Sequence, residues 1–202
     1  MSGNPALLPS NEFELLPRSF YARPTVKVAR DLLGKIVVHG ATAGRIVETE
    51  AYLGKDDLAA HSARGITPRT KVIFGPPGHA YVYFIYGMYE CLNIVCEPEN
   101  QPGCVLIRAL EPVIGIEEMR LRRPSVKKPE QLANGPGKLT LAMGITRALN
   151  GADLVHSPLR VYRATASQQS IRIKTTPRIG IRQCADLPLR FLIDGNPFVS
   201  KP

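Results

Sequence analysis

The sequence predicts a mixed α+β fold in a single domain, on two observations. At 202 residues and 44% hydrophobic content the chain can bury one well-filled core and falls short of two. Runs of β-branched and aromatic residues are joined by hairpin-length turns, with helix-like segments lying between and after them.

In chain order, residues 1–17 read as a loosely packed amino-terminal segment of that one domain, 1–202. Pro24 to Gly34 reads as a helix, with proline at its first turn and glycine past its end. Lys35 to His39 and Arg45 to Leu53 form a strand pair across the short connection Gly40 to Gly44. Asp56 to His61 suggests a helical turn with acids at its positive end, and 62–79 is loop-rich. Ala80 to Cys96 is dense in strand formers around a Gly87-Met88 turn, which predicts a second hairpin. A strand at Cys104 to Leu110 follows, then helices at Gly115 to Arg123 and Pro136 to Met143. Short strands at Leu159 to Ala164, Ile171 to Lys174, Ile179 to Arg182 and Leu189 to Ile193 close the chain. Internal repeats and low-complexity tracts are absent.

Composition narrows the function class. The chain has 26 Lys and Arg against 17 Asp and Glu, a net charge of +9 that suits a polyanionic partner and equally serves solubility. Seven basic residues between Arg160 and Arg190, Arg178 among them, and a second group at Arg120 to Lys138 read first as solvated faces. No run of about 18 apolar residues and no signal-peptide order is present, which predicts a soluble cytoplasmic protein without membrane contact. Cys91, Cys96, Cys104 and Cys184 lack CxxC spacing, and the four histidines are scattered, so reduced thiols and no metal centre are expected.

The stretch Gly44 to Gly54 is the most informative. In a strand, Ile46, Glu48, Glu50 and Tyr52 share one face, roughly 7 Å per two-residue step, while Val47, Thr49, Ala51 and Leu53 face the core. Two carboxylates at that spacing fit glycosidic hydrolysis, but spacing alone reads first as an exposed pair facing arginines. Four tyrosines, Tyr81, Tyr83, Tyr86 and Tyr89, could line a ligand surface or fill a sheet core. Collectively they suit a base drawn out of a duplex, which needs flat partners on both faces.

The blocks VETEAYLG (Val47 to Gly54), AAHS (Ala59 to Ser62), TPR (Thr67 to Arg69), YVYFIYGMYECLNI (Tyr81 to Ile94), RALEP (Arg108 to Pro112) and GPGKL (Gly135 to Leu139) resemble the alkyladenine, or 3-methyladenine, DNA glycosylase family, in order and spacing over about residues 18 to 200. The resemblance implies a curved, largely antiparallel sheet surrounded by helices, and an enzyme that flips damaged purines out of double-stranded DNA. It implies that Glu50 is the general base that activates a water against C1′, with Arg108 and the Ile179 carbonyl holding that water. Tyr52 on one side, with His61 and Tyr83 on the other, match the base-stacking walls. Backbone groups of Ala59 and His61 match the edge readers, Asn93 the discriminator against guanine, and Tyr86 the residue inserted into the duplex. No cofactor or metal is implied, and one footprint on DNA points to a monomer.

The resemblance leaves Glu48 open between tuning Glu50 and pairing with an arginine, the latter favoured. A Schiff-base mechanism would need a lysine where the water sits, and no matched pocket position is lysine. The rivals are a nucleoside hydrolase, which has little need of Tyr86 or the basic stretches, and a lesion-recognition module, which has no need of Glu50. Departures from vertebrate members fall in a short amino-terminal region, in one residue fewer between His61 and Pro68, and in the loop Ser125 to Asn134. Val72, Ile73 and Phe74, just before the base-binding hairpin, are where pocket selectivity can differ.

Overall fold

A computed structural model describes residues 8, 11–85, 87–165 and 171–201. Its centre is the strand β3 (Thr42–Tyr52), 11 residues long. One edge of β3 pairs with β6 (Cys104–Ile114). The other edge pairs first with β2 (Ile36–His39) and then, at Glu48 to Glu50, with β9 (Arg190–Ile193). Outward from β6 lie β5 (Tyr89–Val95) and β4 (Ala80–Ile85), and outward from β2 lie β7 (Leu159–Ala164) and β1 (Phe13–Leu15). The strand β8 (Ile173–Thr176) pairs with β9, and all these pairings are antiparallel. Among the described residues the α-helices are α1 (Arg18–Tyr21), α2 (Thr25–Asp31), α3 (Ile116–Arg122) and α4 (Pro136–Met143). The mixed α+β class and the antiparallel sheet are as the sequence predicts.

Local chemistry sets the helices. Glu97 Oε1 accepts from the backbone N–H and hydroxyl of Thr25 at 2.6 and 2.8 Å, so a distant acid satisfies the start of α2 where Pro24 has no side-chain oxygen to offer. Thr49 Oγ1 donates to the Ala29 carbonyl at 2.9 Å and pins that helix to β3. Gly144, at φ 66, ends α4, and the Ile145 N–H returns to the Thr140 carbonyl. Thr140 Oγ1 donates to the Glu90 carbonyl at 2.9 Å and ties α4 to β5. The main core joins α2, α4 and the sheet through Val28, Leu32, Ile46, Ile107, Leu139 and Phe191.

Several expectations are corrected. Phe13–Leu15 pairs with β7, and Leu16 is fully buried, so the end of the amino-terminal segment is packed. Residues 179–182 form bends rather than a strand, and the strand expected at 171–174 lies at 173–176. Most consequentially, the β3–β6 register breaks on both sides of Glu48. Strict alternation would place Ile46 and Ala51 on opposite faces, yet both belong to the main core, because the irregularity resets the alternation. Nor is the acidic face exposed: Glu48 and Glu50 are both 0% exposed in the middle of the sheet.

Candidate active site

A cavity of about 460 Å³ opens where the end of β3, the β4–β5 hairpin, the middle of β6 and the first turn of α4 meet. Alternation along β4 turns Tyr81, Tyr83 and Ile85 into it. Gly137 lets α4 close the far side: a Cβ there would stand 2.7 Å from the Tyr89 ring. The predicted residues Tyr52, Ala59, His61, Tyr83, Asn93 and Arg108 all line this cavity, as does Ile179. Tyr86, expected to enter the duplex, lies outside the described residues.

Glu50 does not itself line the cavity but sits behind three groups that do. Its Oε1 accepts from the Ile179 N–H at 2.8 Å and faces Arg108 Nη1 at 3.2 Å, and its Oε2 accepts from the Tyr52 hydroxyl at 2.9 Å. Burial raises its pKa above the usual carboxylate range, with Arg108, the Ile179 N–H and the Tyr52 hydroxyl all pulling the other way. Ile179 holds Glu50 through its N–H, a contact separate from the carbonyl that the resemblance assigns to the attacking water.

Glu48 pairs with arginines, and its charge also helps raise the Glu50 pKa. Its Oε1 accepts from Arg108 Nε (3.0 Å), Arg190 Nε (2.7 Å) and Ser200 Oγ (2.8 Å), and its Oε2 accepts from the Ser200 N–H (2.6 Å). Arg190 also donates to the Lys201 carbonyl. One guanidinium, that of Arg108, therefore bridges Glu48 and Glu50.

The walls are aromatic. His61 Nδ1 lies 2.9 Å from the Tyr81 hydroxyl, and its ring meets Tyr83 edge-on at 4.6 Å. Loss of solvent and the nearby Arg69 lower the His61 pKa, which keeps the imidazole neutral at physiological pH. Asn93, almost fully buried, donates from Nδ2 to the Tyr81 carbonyl at 3.2 Å. Ile73 packs with Val72 and Phe74 against Tyr81, Tyr52 and Tyr83, so that segment backs the pocket. Cys91 and Cys104 also line it, and burial pushes both thiols up, Cys104 to about 12, so they stay protonated. All four cysteines are free, as expected. Among the described residues no cluster suits a metal ion, and no helix is long and apolar enough to cross a membrane.

Sequence reasoning missed Asp57 and Arg178. They form a buried bidentate pair at 2.5 and 2.7 Å, and Arg178 lays its guanidinium 4.7 Å from the centroid of the Tyr52 ring. Asp57 also accepts from the N–H groups of Leu53 (3.0 Å) and Ala59 (3.2 Å), so the Ala59 N–H is already engaged. Arg178 and Arg190 belong to the run read as a solvated face, yet they are 5% and 4% exposed. Lys138, in the matched block GPGKL, also lines the cavity, against the expectation that no matched pocket position is lysine, and it donates to Asn134 Oδ1 at 2.8 Å.

The family model for methylpurine-DNA glycosylase matches residues 19–197. A protein of Methanocella arvoryzae described as "Putative 3-methyladenine DNA glycosylase" is 52% identical over 195 residues, covering 93% of this chain and 96% of its own. Proteins of the same description from Methanoculleus marisnigri (53% over 192 residues, 92% and 98%) and Rhodopseudomonas palustris (48% over 199 residues, 98% and 92%) are similarly close. With the match running from within α1 to beyond β9, this chain belongs to the methylpurine-DNA glycosylase family.

Proposed function

We propose that the protein is a monofunctional DNA glycosylase that hydrolyses the N-glycosidic bond of a flipped-out alkylated or deaminated purine, of the 3-methyladenine, hypoxanthine and etheno-adenine type, and leaves an abasic site. The observation that carries this reading is a fully buried carboxylate, Glu50, held by three groups of one aromatic cavity in a member of this family. A flipped base enters between Tyr52 and the His61–Tyr83 wall, where stacking is worth about 1 to 3 kcal/mol per base. Cationic alkylated purines gain further from the electron-rich ring faces.

Glu50 takes a proton from a water as its oxygen attacks C1′, and the bonding pair leaves with the base. Arg108 and the Ile179 N–H oppose the rise that burial imposes, and the raised pKa makes the ionised carboxylate a stronger base than an exposed glutamate. Double-stranded DNA is the partner, and the +9 net charge supplies salt-dependent affinity for it. A monomer suffices for this work, and a cytoplasmic enzyme acting at the nucleoid is the matching location.

Single-turnover excision from duplexes carrying one lesion, with wild type beside Glu50→Gln, tests the reading. Free base released by wild type alone supports it, since a positioned base contributes about 10² to 10⁴ in rate. Lesion binding by both proteins without release would leave a recognition module in its place.

A further inference from the structure

Both aromatic walls of the cavity have an arginine over a ring face. Arg178 lies 4.7 Å from the Tyr52 centroid and Arg69 lies 5.1 Å from the Tyr83 centroid. Neither lines the cavity, so each guanidinium stands behind its wall. The two differ in charge balance. Arg178 is neutralised by the bidentate Asp57 carboxylate, whereas among the described residues no carboxylate pairs with Arg69. The position of Arg69 is set by its turn: Thr67 and Thr70 exchange backbone-to-hydroxyl bonds at 2.8 and 3.2 Å, and Thr70 Oγ1 donates to the Gly65 carbonyl at 2.9 Å. Its field reaches the wall, for it helps lower the pKa of His61 and opposes the upward shift that burial gives Tyr81.

We propose that Arg69 is a specificity-determining residue that favours departure of neutral purines by stabilising, from behind the Tyr83 wall, the negative charge that develops on the leaving base. The inference rests on the glycosylase reading above. When the C1′–N9 bond breaks, its electron pair passes to the base. A neutral purine then leaves as an anion and takes its proton from solvent afterwards, while the water oxygen bonds to C1′ and its proton passes to Glu50.

A cationic alkylated purine leaves neutral. Measured from the unflipped duplex, its transition state carries little net charge on the base, so Arg69 gains nothing by it. A uniform positive field behind one wall thus separates the two lesion classes, and it does so without a side-chain acid. At 5.1 Å to the ring plus roughly 3.5 Å of stacking, Coulomb attraction screened by a solvent-open cavity gives about a three- to tenfold bias.

The test is single-turnover excision at subsaturating enzyme, whose second-order rate constant is referenced to free enzyme and unflipped duplex, from duplexes carrying hypoxanthine or 3-methyladenine, using wild type, Arg69→Gln, Arg69→Lys and the surface control Arg120→Gln. For Arg69→Gln the ratio of 3-methyladenine to hypoxanthine excision rises about three- to tenfold, mostly through slower hypoxanthine release, and Arg69→Lys restores most of the wild-type ratio. The His61 imidazole, followed by NMR, titrates at higher pH in Arg69→Gln than in wild type. Base release with a ratio unchanged in Arg69→Gln, or shifted equally by Arg120→Gln, would reduce Arg69 to a phosphate contact and overturn the proposal alone. No base release by wild type from either duplex would overturn the glycosylase reading and this inference with it.

Discussion

Arg108 Nε stands 3.0 Å from Glu48 Oε1, and both side chains are almost wholly withdrawn from solvent. A second nitrogen of the same guanidinium reaches Glu50 at 3.2 Å, so the two acids of β3 share one counter-ion. Glu48 collects Arg108, Arg190 and Ser200, all structural ties. Removing one partner of a buried ionic network leaves the others uncompensated, at about 3–5 kcal/mol. Glu48→Ala is therefore expected to lower stability by about that amount in urea unfolding. Glu50→Gln removes a buried charge, keeps an acceptor for Tyr52 and Ile179, and is expected to match wild-type stability or exceed it by up to about 2 kcal/mol. A Glu50→Gln protein as unstable as Glu48→Ala would show that the two acids form one structural unit.

The pH dependence of excision follows from the direction of the Glu50 shift. Burial raises its pKa, and the reaction needs the ionised form, so activity is full above the raised pKa and falls as pH drops through it. The acid limb is expected above the usual carboxylate range near 4.3. Arg108→Met, which removes the largest opposing influence, moves that limb higher still. The same sign governs stability: the folded state holds the Glu50 proton more tightly than the unfolded chain, so this group's contribution weakens as pH rises between the two pKa values. An acid limb at or below 4.3 would assign the titration to another group.

The strands and helices that carry the site were legible because each announces itself locally. The Gly87-Met88 turn fixed the alternation that points Tyr81 and Tyr83 into one cavity, and Pro136 marked the start of α4. The acids of β3 were legible as residue types but not as buried ones. Their burial comes from β9, 140 or more residues away in sequence, pairing at Glu48 to Glu50, and from a register break that no periodicity signals. Arg178 looked like one more member of a basic run because the carboxylate that neutralises it, Asp57, lies 121 positions earlier. Glycosylase roles for individual residues came from block resemblance, since spacing alone reads first as a surface ion pair.

The pair Asp57–Arg178 is expected to position the pocket without touching the base. Arg178 packs on Tyr52 and immediately precedes Ile179, whose N–H holds Glu50, while Asp57 fixes the N–H groups of Leu53 and Ala59. Arg178→Met leaves Asp57 buried without its partner and is expected to cost about 3–5 kcal/mol. Among molecules that remain folded at low temperature, the excision rate should fall at least tenfold, with a smaller change in affinity for lesion-free duplex. Equal losses in both measurements would make the pair a general scaffold.

His61 supplies the last prediction. Packed against Tyr83 and Tyr81, with Arg69 nearby, its imidazole has a pKa below the ordinary value of about 6.5. A neutral ring stacks with a cationic base without repulsion, whereas an imidazolium would oppose it. Lesion affinity of Glu50→Gln, which isolates binding from turnover, is therefore expected to stay flat between pH 8 and 6.5 for a cationic purine. His61→Phe preserves a flat neutral wall but loses the link to the Tyr81 hydroxyl, so it should bind the cationic lesion within a few-fold of the parent at pH 7. A loss of affinity centred near pH 6.5 in the parent and absent in His61→Phe would show that the imidazole is charged across that range.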